Sequence, residues 1–233
     1  LFALGFVSLI WVLFGFKETL AEDRRLKLSF KQVGQLYCTI LKDRSYISPM
    51  LAGCFSFGVL FCYINAASAV LMDGFNLNQQ QFAYAFGFNA LGTMILSAMN
   101  HKLAERFNVI QRLQLGGIIQ LIGAILLIIV GLFSDFGLVL TMLGLFMAVA
   151  GIGLTAPNST ALAMSQQGRQ AGSASALMGG LQFIFGLSSG LILNFLFWSP
   201  VMNMAISMLI FVVFANIAIQ ATVRYQQQQS LTI

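Results

Sequence analysis

Marked out along the chain, the apolar residues gather into six long uncharged runs, over residues 47–72, 82–99, 113–133, 136–156, 171–197 and 201–223. Each is long enough to cross a hydrocarbon core of roughly 30 Å, which takes about 20 helical residues. Lipid offers backbone N–H and C=O groups no partners, and the runs lack the alternation of a barrel strand. The pattern therefore predicts helices. A seventh apolar run, 1–16, is short for a span. It has neither the basic start nor the small-residue cleavage site of a signal peptide. Because the chain starts at Leu1 rather than Met, this run is read as the end of a transmembrane helix, and the chain as a fragment.

The expected fold class is an all-α membrane protein, with a six-helix transmembrane bundle over 47–223. A polar stretch, 17–46, precedes it. Within that stretch Phe30, Val33, Leu36, Tyr37, Ile40 and Leu41 recur at helical spacing, and Ser29 and Gln32 have the spacing of a capping box. This predicts an interfacial amphipathic helix that lies on the membrane; the alternative is a linker with chance periodicity. The tail, 224–233, opens with Arg224, Tyr225 and the glutamines Gln226 to Gln229 and is expected to be disordered.

Charge orients the bundle. The chain is 58% hydrophobic and only 8% charged, against about 25% charged in a soluble domain. Too little charge is present to cover a water-facing surface. Lys17, Arg24, Arg25, Lys27, Lys31, Lys42 and Arg44 precede the first full span. Lys102, Arg106 and Arg112 join the second to the third, Arg169 joins the fourth to the fifth, and Arg224 follows the sixth. All twelve fall on one side, while the opposite loops carry Asp73 and Asp135. The positive-inside rule then puts the long loop and the tail in the cytoplasm. The net charge of +5 is topology signalling, or contact with lipid headgroups, and implies no nucleic acid.

As drawn, the spans hold no Asp, Glu, Lys, Arg or His. Such groups mark proton relays and ion paths inside membranes. Polar and small residues form stripes instead. Cys54, Gly58, Phe61, Asn65 and Ser68 share one helix face, as do Asn89, Thr93, Ser97 and Asn100. Thr141, Gly144, Ala148, Gly151 and Thr155 form a third stripe, and Ser175, Gly179, Gln182, Gly186 and Ser189 a fourth. These stripes line either a partly polar cavity or helix-to-helix contacts. Buried amides are costly without partners, so Asn65, Asn89 and Gln182 stand out as candidate substrate contacts. Phe61, Tyr63 and Phe185 join them as aromatic platforms, as do Phe86 and Phe183, although the chain has 22 Phe and lipid or core contact is the default for any one.

Gly168, Gly172, Ala176 and Gly180 repeat every fourth residue, which predicts a packing seam. Pro157 is expected to end or kink the fourth span. Cys38, Cys54 and Cys62 show no metal spacing and are read as small apolar groups. No metal and no cofactor is expected. His101, the single histidine, is read as a solvated or headgroup-facing side chain. Hydrolytic chemistry needs a base, and none lies beside the serines of the spans, so an enzyme is not expected.

The loop Asn100-His101-Lys102-Leu103-Ala104-Glu105-Arg106-Phe107-Asn108 resembles a degraded copy of the major facilitator signature Gly-x-x-x-Asp-Arg-x-Gly. Glu105 and Arg106 match its acidic–basic pair, Arg112 its basic end, while His101 and Asn108 stand where glycines are usual. Phe16 to Leu20, Leu60-Phe61-Cys62-Tyr63-Ile64, Phe82-x-x-x-Phe86-Gly87-Phe88-Asn89-Ala90 and Gly168-Arg169-x-Ala171-Gly172-x-Ala174-Ser175 narrow the likeness. In order and spacing they resemble the Bcr/CflA drug-resistance branch of the major facilitators, across essentially the whole chain.

The resemblance implies a major facilitator-type six-helix half bundle, the C-terminal one, preceded by the end of another helix. It implies a rocker-switch drug/proton antiporter of the bacterial inner membrane. Its substrates would be small amphipathic compounds such as bicyclomycin-like drugs, sulfonamides or chloramphenicol. Protons and the N-terminal half of the transporter would be its partners, with the proton-titrating carboxylates mainly in that half. Glu105, Arg106 and Arg112 would form a gating loop. A transport-inactive six-helix interaction module is the competing reading.

Overall fold

The computed structural model describes residues 2–15, 30–133 and 137–230. It divides into two units, Leu1–Leu36 and Tyr37–Ile233. The first holds the apolar helix α1 (Phe2–Gly15) and the start of α2 (Phe30–Lys42). The polar stretch thus forms a helix where its periodicity predicts one. Tyr37, Ile40 and Leu41 are covered while Cys38 and Thr39 are exposed. Ser29 of the expected capping box and the basic residues Lys17 to Lys27 lie outside the described residues.

The second unit is an all-helical bundle of six helices long and apolar enough to cross a membrane. They comprise α3 (Arg44–Ser68), α4 (Gln79–Leu103), α5 (Val109–Leu132), α6 with α7 (Gly137–Ala150 and Ile152–Met164), α8 (Ala171–Asn194) and α9 (Pro200–Ser230). Their starts are set locally. The Asp43 carboxylate caps α3 by accepting from the Ser45 N–H at 2.9 Å. Asn78 and Asn108 each open a reciprocal capping box with the glutamine three residues on, Gln81 and Gln111. At its far end α3 widens into a π-type turn, Ala69–Gly74, before the chain reverses.

α3 lies at the centre, packed on α7, α8 and α9; α5 packs on α6, α7 and α9, and α4 rests on the fourth span. The main core gathers Val59, Cys62, Leu127, Leu145, Met204 and Met208 from four spans. Small residues set how closely these helices approach. A Cβ on Gly123 would collide with the Ala148 amide and the Gly144 carbonyl, so α5 and α6 meet backbone to backbone.

Four details depart from the sequence reading. The helices outrun the uncharged runs and take in Arg44, Asp73, His101, Lys102, Arg112 and Arg224 towards their ends. The fourth span divides at Gly151, not at Pro157, and α7 continues seven residues beyond that proline to Met164. Gly151 is where a Cβ would strike Gln120 and the Gly116 carbonyl, so close approach to α5 shapes the chain there. α9 runs on through Ser230, so the glutamine tail is helical to that point. Finally, Gly172 and Gly180 have nothing within 4 Å of a would-be Cβ, and Ala176 is exposed. That stripe lies on the outer face of α8, not in a seam.

Candidate functional site

Around the axis of α3, three consecutive residues point to three different surroundings. Tyr63 turns toward α4, where its hydroxyl accepts from the Asn89 amide at 3.1 Å and its ring stacks on Phe86 at 5.0 Å. Asn65 turns toward α8 and donates to the Ser189 hydroxyl at 3.2 Å. Ile64, between them, is 46% exposed, and Ser68 one turn on is exposed as well. Among the described residues of this unit, no helix covers this arc. It is a trough floored by α3 and walled by α4 and α8, the two spans with the least buried surface.

The α8 wall carries more of the expected residues. Phe61 packs its ring against Gly186, where a Cβ would come within 2.8 Å of it, and meets Phe183 edge-on at 6.2 Å. Gln182 lies one turn from Gly186, half-buried and without a hydrogen-bond partner among the described residues. Asn65 also lines a small cavity of about 190 Å³ with Leu193, Pro200 and Asn203. Phe61, Asn65 and Gln182 are thus brought together on one side of the trough.

The other expected residues are placed differently. Tyr63 and Asn89 form a pair of their own against α4, both buried. The Asn89 side-chain oxygen is buried with no hydrogen-bond partner among the described residues. Such an orphan acceptor is costly in an apolar interior and offers itself to a donor. Phe185 faces away from the trough. It meets Phe55 edge-on at 4.6 Å, and Phe55 stacks on Phe214 at 5.3 Å, an aromatic cluster joining α3, α8 and α9.

Sequence reasoning missed a polar cluster deep in the bundle. The Ser56 hydroxyl lies 2.7 Å from the Gln120 side-chain oxygen and 2.5 Å from the Thr155 hydroxyl, all three fully buried. Gln120 in turn donates to the Ala148 carbonyl at 3.4 Å. The signal was available in Gln120, an amide inside the most apolar span.

At the end of the bundle where the basic residues gather, Arg112 donates to both the backbone and the side-chain oxygen of Asn100, at 3.2 and 2.9 Å. Asn158 donates to that same side-chain oxygen at 2.9 Å, so α4, α5 and α7 are tied together. Glu105 and Arg106 stay exposed in the turn after α4 and join none of this. Asp43, ahead of α3, accepts from Ser45 and from Gln167 at 3.0 Å. Partial burial pushes its carboxyl up, but the hydrogen bonds from Ser45 and Gln167 prevail and hold it below the usual carboxylate range.

Residues 1–190 match the family model described as Major Facilitator Superfamily. Among curated relatives, the "Uncharacterized MFS-type transporter YdgK" of Bacillus subtilis is 28% identical over 190 residues, covering 80% of this chain and 46% of the relative. The "Bicyclomycin resistance protein homolog" of Haemophilus influenzae is 26% identical over 186 residues, again 80% and 46%. The chain spans a little under half the length of these relatives.

Proposed function

The chain belongs to the Major Facilitator Superfamily, and from that premise we propose that it is the C-terminal half of a proton-coupled multidrug efflux antiporter. It is a multi-pass membrane protein. The observation that carries the reading is the trough between α4 and α8, with Phe61, Asn65 and Gln182 along one wall and the buried Tyr63–Asn89 pair behind the other. One relative is named for bicyclomycin resistance, which favours drug-like cargo.

In this reading the trough is half of a substrate cavity, and the N-terminal half of the transporter closes it. Phe61 and Phe183 give flat apolar surface. The amides of Asn65 and Gln182 and the orphan oxygen of Asn89 supply a few hydrogen bonds that tolerate varied compounds. The spans described here hold no carboxylate away from their end turns, so the protonation step belongs to the partner half. The basic end faces the cytoplasm of a bacterial inner membrane. There Arg112, Asn100 and Asn158 lock the ends of three helices, while Glu105 and Arg106 form the exposed turn that meets the partner half as the transporter rocks.

The test is drug efflux by the complete transporter carrying Asn65→Ala, Asn89→Ala or Gln182→Ala. Loss of efflux with normal membrane insertion supports the site. Unchanged efflux in all three overturns it.

A further inference from the structure

A continuous groove runs between α5 and α9 and shares no residue with the trough. Three adjoining cavities make it up, of about 370, 320 and 500 Å³ in order from the basic end inward. The first two share Gln111 and Gln114, and the last two share Asn216 and Gln220, so they form one channel open to the side.

Its lining is graded. Gln111 and Gln114 on α5, with Gln220 on α9, line the two outer cavities, and Arg224 stands at the basic end of the innermost one. Leu121 and Ile217 line the part deeper in the membrane. Leu121 lies two turns beyond Gln114, and Ile217 two turns before Arg224, so the glutamine and the guanidinium stand roughly 10 Å nearer the basic end than these apolar side chains, with Asn216 an amide among the inner lining. Gln114 and Gln220 have no hydrogen-bond partner among the described residues, and Arg224 has no ion pair among them. Amides and a guanidinium on an outer membrane face are costly unless something polar meets them.

We propose that this groove is a binding site for one anionic phospholipid of the leaflet at the basic end. Its phosphate sits against Arg224, which matches phosphate oxygens as a bidentate donor. The amides of Gln114 and Gln220 donate to the glycerol-ester and headgroup oxygens. An acyl chain then lies along Leu121 and Ile217. The positive charge and the polar-to-apolar gradient together select a lipid over a second apolar helix, which would leave the amides and Arg224 unmatched. The inference needs only that the six helices cross a membrane, and it stands or falls apart from drug efflux.

The test reconstitutes the chain in phosphatidylcholine nanodiscs holding a minor fraction of phosphatidylglycerol, followed by mild detergent extraction and native mass spectrometry. One phosphatidylglycerol is expected to stay bound in preference to phosphatidylcholine. Gln220→Leu with Arg224→Gln should lower its retention about fivefold, the loss expected for one basic contact to an anionic surface. Ile217→Trp, which fills the apolar end, should displace it. Lys102→Gln, a basic residue at the same end but outside the groove, should leave retention unchanged. Gln220, Arg224 and Ile217 are exposed, so the variants keep the fold, which size-exclusion chromatography confirms; were the double variant to aggregate, Ile217→Trp alone decides. Equal retention of the two lipids, or retention untouched by the groove variants, overturns the proposal. A dimer mass that Ile217→Trp abolishes also overturns it, since the groove would then be an interface between copies.

Discussion

Ser56 and Gln120 meet side chain to side chain in the buried interior, 2.7 Å apart, and Thr155 closes on Ser56 from α7. Ser56 is the hub: its removal leaves Gln120 and Thr155 without it. Ser56→Ala should therefore destabilise the bundle by about 1–3 kcal/mol, the cost of stranding buried polar groups. Gln120→Leu strands less, because Ser56 and Thr155 still pair, and should cost nearer 1 kcal/mol. The two losses should fall short of additivity in the double variant. Thermal unfolding of the purified chain in detergent reads all three.

The glycines divide into two groups with opposite expected behaviour. Gly123→Val forces a side chain into the Ala148 amide and should cost about 1–3 kcal/mol or prevent folding. Gly180→Ala meets nothing within 4 Å and should stabilise the chain by about 0.5–1 kcal/mol through helix propensity. If the outer face of α8 meets a partner half, the bulkier Gly180→Leu should be silent in this chain alone and impair efflux in the complete transporter. Paired melting and efflux measurements separate the two effects.

Asn89→Leu removes a bond to Tyr63 together with an orphan acceptor. The two terms oppose, so stability should shift by less than about 1.5 kcal/mol. Efflux should fall at least tenfold, about 1.4 kcal/mol of lost binding, if Asn89 meets the cargo. Tyr63→Phe keeps the ring stacked on Phe86 and should retain more transport than Asn89→Leu. Comparable efflux in wild type and Asn89→Leu would remove Asn89 from the site.

Asp43 sets a pH limit on one local fastening. Its carboxyl titrates below its ordinary value of 3.8, so the stability it adds is complete above that value and is lost as pH falls through the lower, folded one. Asp43→Ala should cost about 1 kcal/mol as a lost helix cap. That cost should hold constant from neutral pH down to roughly pH 5 and shrink only in stronger acid. A wild-type-minus-variant melting difference that changes between pH 6 and pH 8 would contradict the assignment (both values far above the carboxylate range).

Apolar runs revealed the six helices because lipid demands uninterrupted apolar length, and a run of that kind is visible residue by residue. Their ends were less legible: capping by Asn78 and Asn108 starts α4 and α5 several residues before the apolar runs begin. Helical spacing placed Asn65 and Phe61 on one face, and the structure joins both to α8. Phe185 shows the limit of that reasoning. It lies one residue from Gly186, which packs on Phe61, yet points to Phe55. Which face of α8 turns inward depends on how the helices cross, and periodicity within one helix carries no such information. The stripe of Gly172 and Gly180 failed for the same reason: small residues permit close approach, but a neighbour has to be there.

The reciprocal caps at Asn78 and Asn108 have an electrical consequence. A carboxylate is the usual complement to the positive end of a helix dipole, and both positions use a neutral amide instead. The caps that start α4 and α5, at opposite ends of the bundle, therefore do not titrate. A swing in proton concentration on either side acts through groups that gain or lose a proton. It leaves both caps closed, so α4 and α5 keep the same fastening at their first turns whichever side of the membrane is the more acidic.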